Sequence, residues 1–124
     1  MNILVTGTRE TLTMEQMDVV AKVLSEFLFD GPHLLIDGQA LGVDSFANLW
    51  AKDQGWGTRR FPADWKRFGK QAGPIRNQEM IETMAEEGTP VELVLAFPIP
   101  ESRGTWDMVE RAVFNRIPVR VYAL

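Results

Sequence analysis

Short apolar runs alternate along this chain with longer segments in which apolar residues recur every three or four positions. The first run, Ile3 to Val5, lies within Asn2–Thr6 and ends at Gly7, which predicts a buried β-strand. Runs of the same kind predict four more strands, at Leu34–Asp37, Thr58–Phe61, Val91–Phe97 and Ile117–Tyr122.

The segments between these strands have the periodicity of amphipathic helices. Thr13 and Gln16 have the spacing of a capping box, and the helix that follows is predicted to reach about Phe29. Further helices are predicted after Gly42, over Pro74 to about Glu86, and from near Gly104. Strands that alternate with helices indicate an α/β fold with a mostly parallel sheet covered on both faces. We predict one domain, residues 1–124, with a five-stranded sheet of order 3-2-1-4-5 and a ligand beyond the carboxyl ends of its strands.

Composition narrows the function classes. The chain is 45% hydrophobic and 24% charged, which is typical of a soluble globular protein. It has no cysteine, and His33 is its only histidine, so thiol chemistry is excluded and we predict neither a metal site nor a cofactor. The first strand follows no charged leader, and no apolar run reaches membrane-spanning length, so we expect a cytoplasmic protein without membrane contact.

Positive charge is concentrated in one segment of an otherwise acidic chain. The formal net charge is -4, which argues against nonspecific binding of nucleic acid. The stretch from Arg59 to Arg76 nevertheless holds six basic residues and a single acid, Asp64. With Pro74 at the first helical position, Arg76 and Asn77 are expected beside free backbone N–H groups that attract anions. This predicts a site for a small anion at Arg76, while an alternative role for Asn77 is to cap or brace the loop.

Two glycine-containing turns follow the first two strands. After the first, Gly7 permits close approach of a ligand, Thr8 offers a hydroxyl, and Arg9 offers a bidentate phosphate contact. The alternative is an ordinary turn with a solvated arginine. After the second, Gly38 and Gly42 span a tight turn, and Asp44 either accepts hydrogen bonds from a ribose or stabilises its own helix.

Two further segments carry candidate site residues. Trp65, in a long loop, either stacks on a base or anchors the loop to the core. Gly104 and Thr105 begin a helix and offer backbone N–H groups and a hydroxyl to an anion. Asp107 and Glu110 are candidates for ribose contact or acid–base catalysis, although acids are common early in helices in any case.

Together these segments resemble the YspA-like branch of the SLOG superfamily. The shared motifs are GTR after the first strand, GxxxGxD after the second, FPADW followed by AGPIRN, LAFP, and GT with a following MV. The superfamily also contains the LOG phosphoribohydrolases and the DNA-binding protein DprA. The resemblance covers nearly the whole chain, and it implies a Rossmann-like three-layer fold, often dimeric, that binds nucleotides or nucleotide-derived ligands such as NAD, ADP-ribose or nucleoside monophosphates.

The chain departs from the LOG enzymes at a catalytic position. In those enzymes an arginine and the glutamate of PGGxGTxxE act on a glycosidic bond. Arg76 matches the arginine, but the glutamate falls on Met108, and IPESR replaces the preceding PGG. Methionine cannot transfer a proton, and Asp107 is rotated from that position by about 100° on a helix, so hydrolysis by the LOG mechanism is not expected. Asp37, Gln39 and Leu41 also differ from the small residues and arginine more typical of this branch.

The leading hypothesis is a nucleotide-binding protein, with phosphate at Arg76 and ribose at Asp44 or Asp107. An alternative is an N-glycosidic hydrolase of nucleoside monophosphates that uses Asp107 or Glu110 as the acid–base group. A third hypothesis, by analogy with the fold alone, is sequestration or sensing of a signalling nucleotide in a conflict between a virus and its bacterial host. A homodimer is also predicted, because the apolar arc of the first helix is widened by Met14, Val19, Val23 and Phe29.

Overall fold

The computed structural model describes residues 1–124 as alternating strands and helices. The strands are β1 (Asn2–Gly7), β2 (Leu34–Asp37), β3 (Gly57–Arg60), β4 (Leu93–Phe97) and β5 (Val119–Val121). The α-helices are α1 (Met14–Ser25), α2 (Val43–Asp53), α3 (Trp65–Phe68), α4 (Ala72–Glu86) and α5 (Arg103–Phe114), and 3-10 turns cover Leu28–Asp30 and Gly69–Gln71.

The five strands form one parallel sheet in the order β3-β2-β1-β4-β5. The predicted order and the Rossmann-like α/β class are thus confirmed. In the register of the sheet, Gly7 lies beside Phe97 and Asp37 lies beside Arg60, so the last residues of four strands lie along one edge. We call this the carboxyl edge. The connections that follow these strands start there.

Two apolar clusters hold helices on opposite faces of the sheet. Alternate residues of β1 take part in different clusters: Ile3 and Val5 pack with α1 and α2, whereas Leu4 packs with α4 and α5. This follows from the two-residue repeat of a strand, which sends successive side chains to opposite faces. The sheet is consequently buried on both sides, which explains the continuous apolar run in β1.

Several boundaries differ from the predictions. The 3-10 turn at Gly69–Gln71 leads directly into α4, and the N–H of Ala72 donates to the carbonyl of Gly69. As a result α4 begins at Ala72, and Pro74 is its third residue rather than its first. Arg76 therefore lies in the second turn of α4 and not beside its free N–H groups, so that part of the prediction was wrong.

The first helix is shorter than predicted, and its apolar arc is only partly exposed. It ends at Ser25, and a separate 3-10 turn contains Phe29, which is 96% exposed. Met14 and Val19 are also exposed, but Val23 is buried in the core and cannot contribute to a surface. None of the helices combines the length and apolar character needed to cross a bilayer.

Candidate functional site

The turns after β1 and β2 pack against each other at the carboxyl edge. The N–H of Thr8 donates to the carbonyl of Phe97 at 3.1 Å, and the N–H of Val43 donates to the carbonyl of Thr8 at the same distance. Gly42 has a φ of 72°, and a Cβ atom there would overlap the carbonyl oxygens of Thr8 and Glu10. Only glycine suits both this backbone conformation and this close approach.

Arg76 reaches the carboxyl edge from α4 and is held there by its own chain. Its Nη1 donates to the carbonyl oxygens of Gly38 and Phe61, which follow β2 and β3, and its Nε donates to Asn77 Oδ1 at 3.1 Å. The side chain is half-buried, and Nη2 makes no hydrogen bond within the chain. A Cβ atom at Gly38 would lie 2.6 Å from Arg76 Cζ, so this glycine makes room for the guanidinium.

Asp44 lies beneath the turn that contains Gly38. Its Oδ2 accepts hydrogen bonds from the N–H groups of Gly38, at 3.0 Å, and Ala40, at 3.2 Å. The side chain is buried, so its carboxylate binds the turn rather than facing solvent. Burial and the nearby charge of Asp37 raise the pKa of Asp44 to about 7, against the opposing effects of these hydrogen bonds and of Arg76.

A second buried carboxylate, at Asp37, was not among the predicted site residues. Its Oδ1 accepts hydrogen bonds from the N–H of Gln39 at 2.7 Å and from Arg60 Nε at 2.9 Å, and its Oδ2 accepts one from Asn48 Nδ2 at 3.3 Å. Burial raises the pKa of Asp37, although these three partners oppose the effect. The signal in the sequence was an acid that ends an apolar strand and an arginine that ends the next one.

The charge of Arg76 is partly desolvated in this setting. Burial lowers the pKa of its guanidinium, and Arg9 lowers it further, while Asp44, Asp37 and Asp107 act in the opposite direction. An arginine stays protonated under all ordinary conditions, so the result is a fixed cation with incomplete hydration. Such a group gains from an anion that approaches its remaining donors.

Asn77 and Asp107 form a bridge between α4 and α5. Asn77 Nδ2 donates to Asp107 Oδ2 at 2.9 Å and to the carbonyl of Gly104 at 3.2 Å. Arg111, one turn further along α5, donates from Nε to Asp107 Oδ2 at 2.8 Å and from Nη2 to Oδ1 at 3.3 Å. Both carboxylate oxygens of Asp107 are therefore engaged. Arg111 was not predicted, although its four-residue spacing from Asp107 is that of a helical ion pair.

Other residues of α5 occupy three different environments. Gly104 and Thr105 lie in its first turn, the former exposed and the latter buried. Met108 is fully buried in the apolar cluster that contains Leu4, Ile36 and Met80. Glu110 is exposed and lines a groove of about 400 Å³ between α4 and α5, together with Gln78 and Phe114. Asp107 lines the same groove, but no residue of the two glycine turns does.

Arg9 and Trp65 bring the turn after β1 together with the long loop after β3. Arg9 Cζ lies 5.7 Å from the centroid of the Trp65 ring, within the range of a cation–π contact. Trp65 is the first residue of α3, which Asp64 caps by accepting from the N–H of Arg67. Trp65 is 50% exposed, and its ring lies beside Gly73, where a Cβ atom would be 3.6 Å from Trp65 Cη2. No cluster of three His, Asp or Glu side chains is arranged to hold a metal ion.

Comparison with known proteins gives two matches. The family described as "YspA, cpYpsA-related SLOG family" matches residues 1–68, a segment that includes both glycine turns and Trp65. The chain is also similar to the Gene 61 protein of Mycobacterium phage D29, with 32% identity over 128 aligned positions that cover 94% of this chain and 92% of the phage protein. No solved structure matches.

Proposed function

This chain belongs to the YspA, cpYpsA-related SLOG family, and from that premise we propose that it binds a nucleotide or a nucleotide-derived ligand at the carboxyl edge of its sheet. Ligands of NAD or ADP-ribose type and nucleoside monophosphates are the candidates. One observation carries the proposal: two nitrogens of the Arg76 guanidinium are bonded to the protein, and the third, Nη2, is left with two free donors.

The phosphate of the ligand would bind to Arg76. A guanidinium fixed at Nε and Nη1 loses little further freedom when an oxygen binds at Nη2, so less of the binding free energy is spent on ordering the side chain. Arg9 is close enough to influence the pKa of Arg76 and is exposed, so it adds a second positive charge that a phosphate group would neutralise.

The base or sugar of the ligand would bind toward Trp65. The half-exposed indole beside Arg9 offers a flat apolar surface within the same region as the cationic groups. Stacking of a base on such a ring is tolerant of base identity, because every base has a π-face. A ligand with both an anionic and an aromatic part would use Trp65 and Arg76 together.

Binding without hydrolysis accounts best for the acidic residues. Met108 has no proton to transfer and is fully buried, and both oxygens of Asp107 are engaged by Asn77 and Arg111. Glu110 lines the groove between α4 and α5 together with Asp107, and no residue of the glycine turns lines this groove. We therefore propose that the ligand is retained unchanged, as sequestration or sensing of a nucleotide requires.

Calorimetry against AMP, ADP-ribose, NAD and cyclic nucleotides tests the proposal. We expect at least one of them to bind, and Arg76→Ala to weaken that binding by about tenfold or more, since a hydrogen bond to a charged group contributes about 1.5–3 kcal/mol. Lys22→Ala is the matched control, because it removes one positive charge from an exposed position of α1. No binding across the panel, or equal binding by Arg76→Ala, would contradict the proposal.

Chromatography separates binding from catalysis. After prolonged incubation of the wild-type protein with nucleoside monophosphates, we expect no free base above the level without protein. Release of base that is lost in Asp107→Asn or Glu110→Gln would instead support the N-glycosidic hydrolase.

Self-association stays a separate prediction. Met14, Val19 and Phe29 are exposed apolar side chains of α1 and of the 3-10 turn that follows it, and a homodimer would bury at least one of them. Light scattering tests it, because a mass near that of one 14.0 kDa chain at high concentration contradicts a stable dimer.

A further inference from the structure

A line of hydrogen bonds runs from Arg76 to the ion pair on α5. Arg76 Nε donates to Asn77 Oδ1 at 3.1 Å, Asn77 Nδ2 donates to Asp107 Oδ2 at 2.9 Å, and Arg111 holds both oxygens of Asp107. We propose that Asp107 is a positioning residue for ligand binding, which acts through Asn77 to fix the plane of the Arg76 guanidinium. The proposal rests on the function proposed above, in which Arg76 binds the ligand.

Asp107 Oδ2 and the carbonyl of Gly104 together determine which way the Asn77 amide faces, and the hydrogen bond to the carboxylate is the shorter of the two, at 2.9 Å against 3.2 Å. Asn77 is only 2% exposed, so its amide has no access to alternative partners in bulk water. If the amide were reversed, its oxygen would face Asp107 Oδ2 and the carbonyl of Gly104, and its NH₂ group would face the N–H of Arg76 Nε. All three contacts would then pair two acceptors or two donors. The observed orientation is the one that presents an acceptor to Arg76.

The Asn77 oxygen restricts a long and otherwise flexible Arg76 side chain. The three protein partners of Arg76 come from different segments. Gly38 follows β2, Phe61 follows β3, and Asn77 belongs to α4. The two carbonyls both bind Nη1, so Asn77 provides the sole bond to Nε and prevents rotation about the Nη1 contacts. Without that bond the free Nη2 would sample several directions.

Nuclear magnetic resonance tests the positioning without any ligand. The Nε–Hε signal of Arg76, identified by its loss in Arg76→Lys, should be rigid in the wild type and should fall below an order parameter of about 0.6 in Asp107→Ala. Asp107→Asn keeps an oxygen that can accept from Asn77 but loses the ion pair with Arg111, so we expect an intermediate order parameter for Arg76 Nε–Hε. If Asp107→Ala does not fold, Asp107→Asn provides the test. Glu110→Ala is the control and should leave the signal unchanged. A rigid signal in both Asp107 variants would overturn the proposal, whatever ligand the protein binds.

A double-mutant cycle with AMP as the probe separates positioning from a general structural effect. We expect Asp107→Ala to weaken AMP binding about fivefold in the wild-type background, because an unrestrained arginine must be ordered on binding. In the Arg76→Ala background the same change should alter affinity less than twofold, since the group that it positions is gone. An equal loss in both backgrounds would show that Asp107 acts independently of Arg76 and would overturn the proposal. If AMP does not bind the wild type, the proposed function loses support, and the resonance measurement alone decides the positioning.

Discussion

Replacing Asp44 by asparagine should stabilise the protein at neutral and alkaline pH. Burial and Asp37 raise the pKa of Asp44 from an ordinary 3.8 to about 7 in the folded protein. The native state therefore keeps a proton that the unfolded state loses between about pH 4 and pH 7. Over that interval the unfolded state binds fewer protons, so the free energy of unfolding falls as the pH rises.

The size of the effect follows from the same two pKa values. The difference between the pKa of 3.8 in the unfolded state and about 7 in the folded state destabilises the folded protein by about 4 kcal/mol. This destabilisation is absent below about pH 4 and complete above about pH 7. Asparagine has no such titration and keeps an oxygen that can accept from the N–H groups of Gly38 or Ala40. We expect Asp44→Asn to unfold with a free energy about 2–4 kcal/mol higher than the wild type at pH 8, and to be similar or slightly lower at pH 4.5.

Urea denaturation of both proteins from pH 4.5 to pH 8.5 measures this directly. Asp53→Asn is the matched control, because it makes the same chemical change at an exposed position of the same helix, and its profile should parallel that of the wild type. Asp37, whose pKa is also raised by burial, should leave a residual slope of the same sign in Asp44→Asn. Parallel pH profiles for the wild type and Asp44→Asn, or a lower stability of the variant at pH 8, would refute the reasoning.

Three further substitutions test the packing of the site. Gly42→Ala should lower the free energy of unfolding by about 3 kcal/mol or more, because its Cβ atom would overlap the carbonyl oxygens of Thr8 and Glu10. Gly88→Ala, with a similar positive φ but open space around it, should lower the free energy of unfolding by only about 1 kcal/mol. Equal losses would contradict the close approach of Thr8 and Glu10 to Gly42. Gly38→Ala should displace the Arg76 guanidinium and reduce nucleotide affinity as much as Arg76→Ala does, measured by calorimetry; unchanged affinity would contradict this. Met108→Glu should lower the free energy of unfolding at pH 7 by about 3 kcal/mol more than Met108→Leu, since it buries a carboxyl group in an apolar cluster, and should not confer base release.

The alternation of strands and helices along the chain was predictable from the sequence. The strand order was correct because apolar runs alternate with amphipathic segments, and right-handed crossovers then leave few arrangements of a parallel sheet. The approximate bounds of β2 and α2 followed from glycine and proline near their ends, whereas α1 ends earlier than predicted and α3 lies in a segment that was predicted to be a loop. The start of α4 was misplaced because a 3-10 turn preceding a helix leaves no periodic signal of its own.

The roles of individual polar side chains were harder to predict from the sequence. Asp44 had two equal interpretations, and only the packed turn shows its carboxylate bonded to the N–H groups of Gly38 and Ala40. Partners far apart in sequence, such as Asn77 and Asp107, meet because α4 and α5 lie on the same face of the sheet. Periodicity reports which face of a helix is buried, but it does not report which polar groups of two helices face each other.

Because its guanidinium also ties together the ends of β2 and β3, Arg76 is part of the framework of the fold as well as a candidate ligand contact. A descendant that no longer used the ligand would still be selected to keep this arginine, since its loss would leave two strand ends untethered. Retention of the arginine among relatives is therefore weak support for a shared activity. The exposed Trp65 and Arg9 do not tether strand ends, so selection would no longer maintain them once the ligand was not used. The presence of both residues in a relative is therefore better evidence of a functional ligand site.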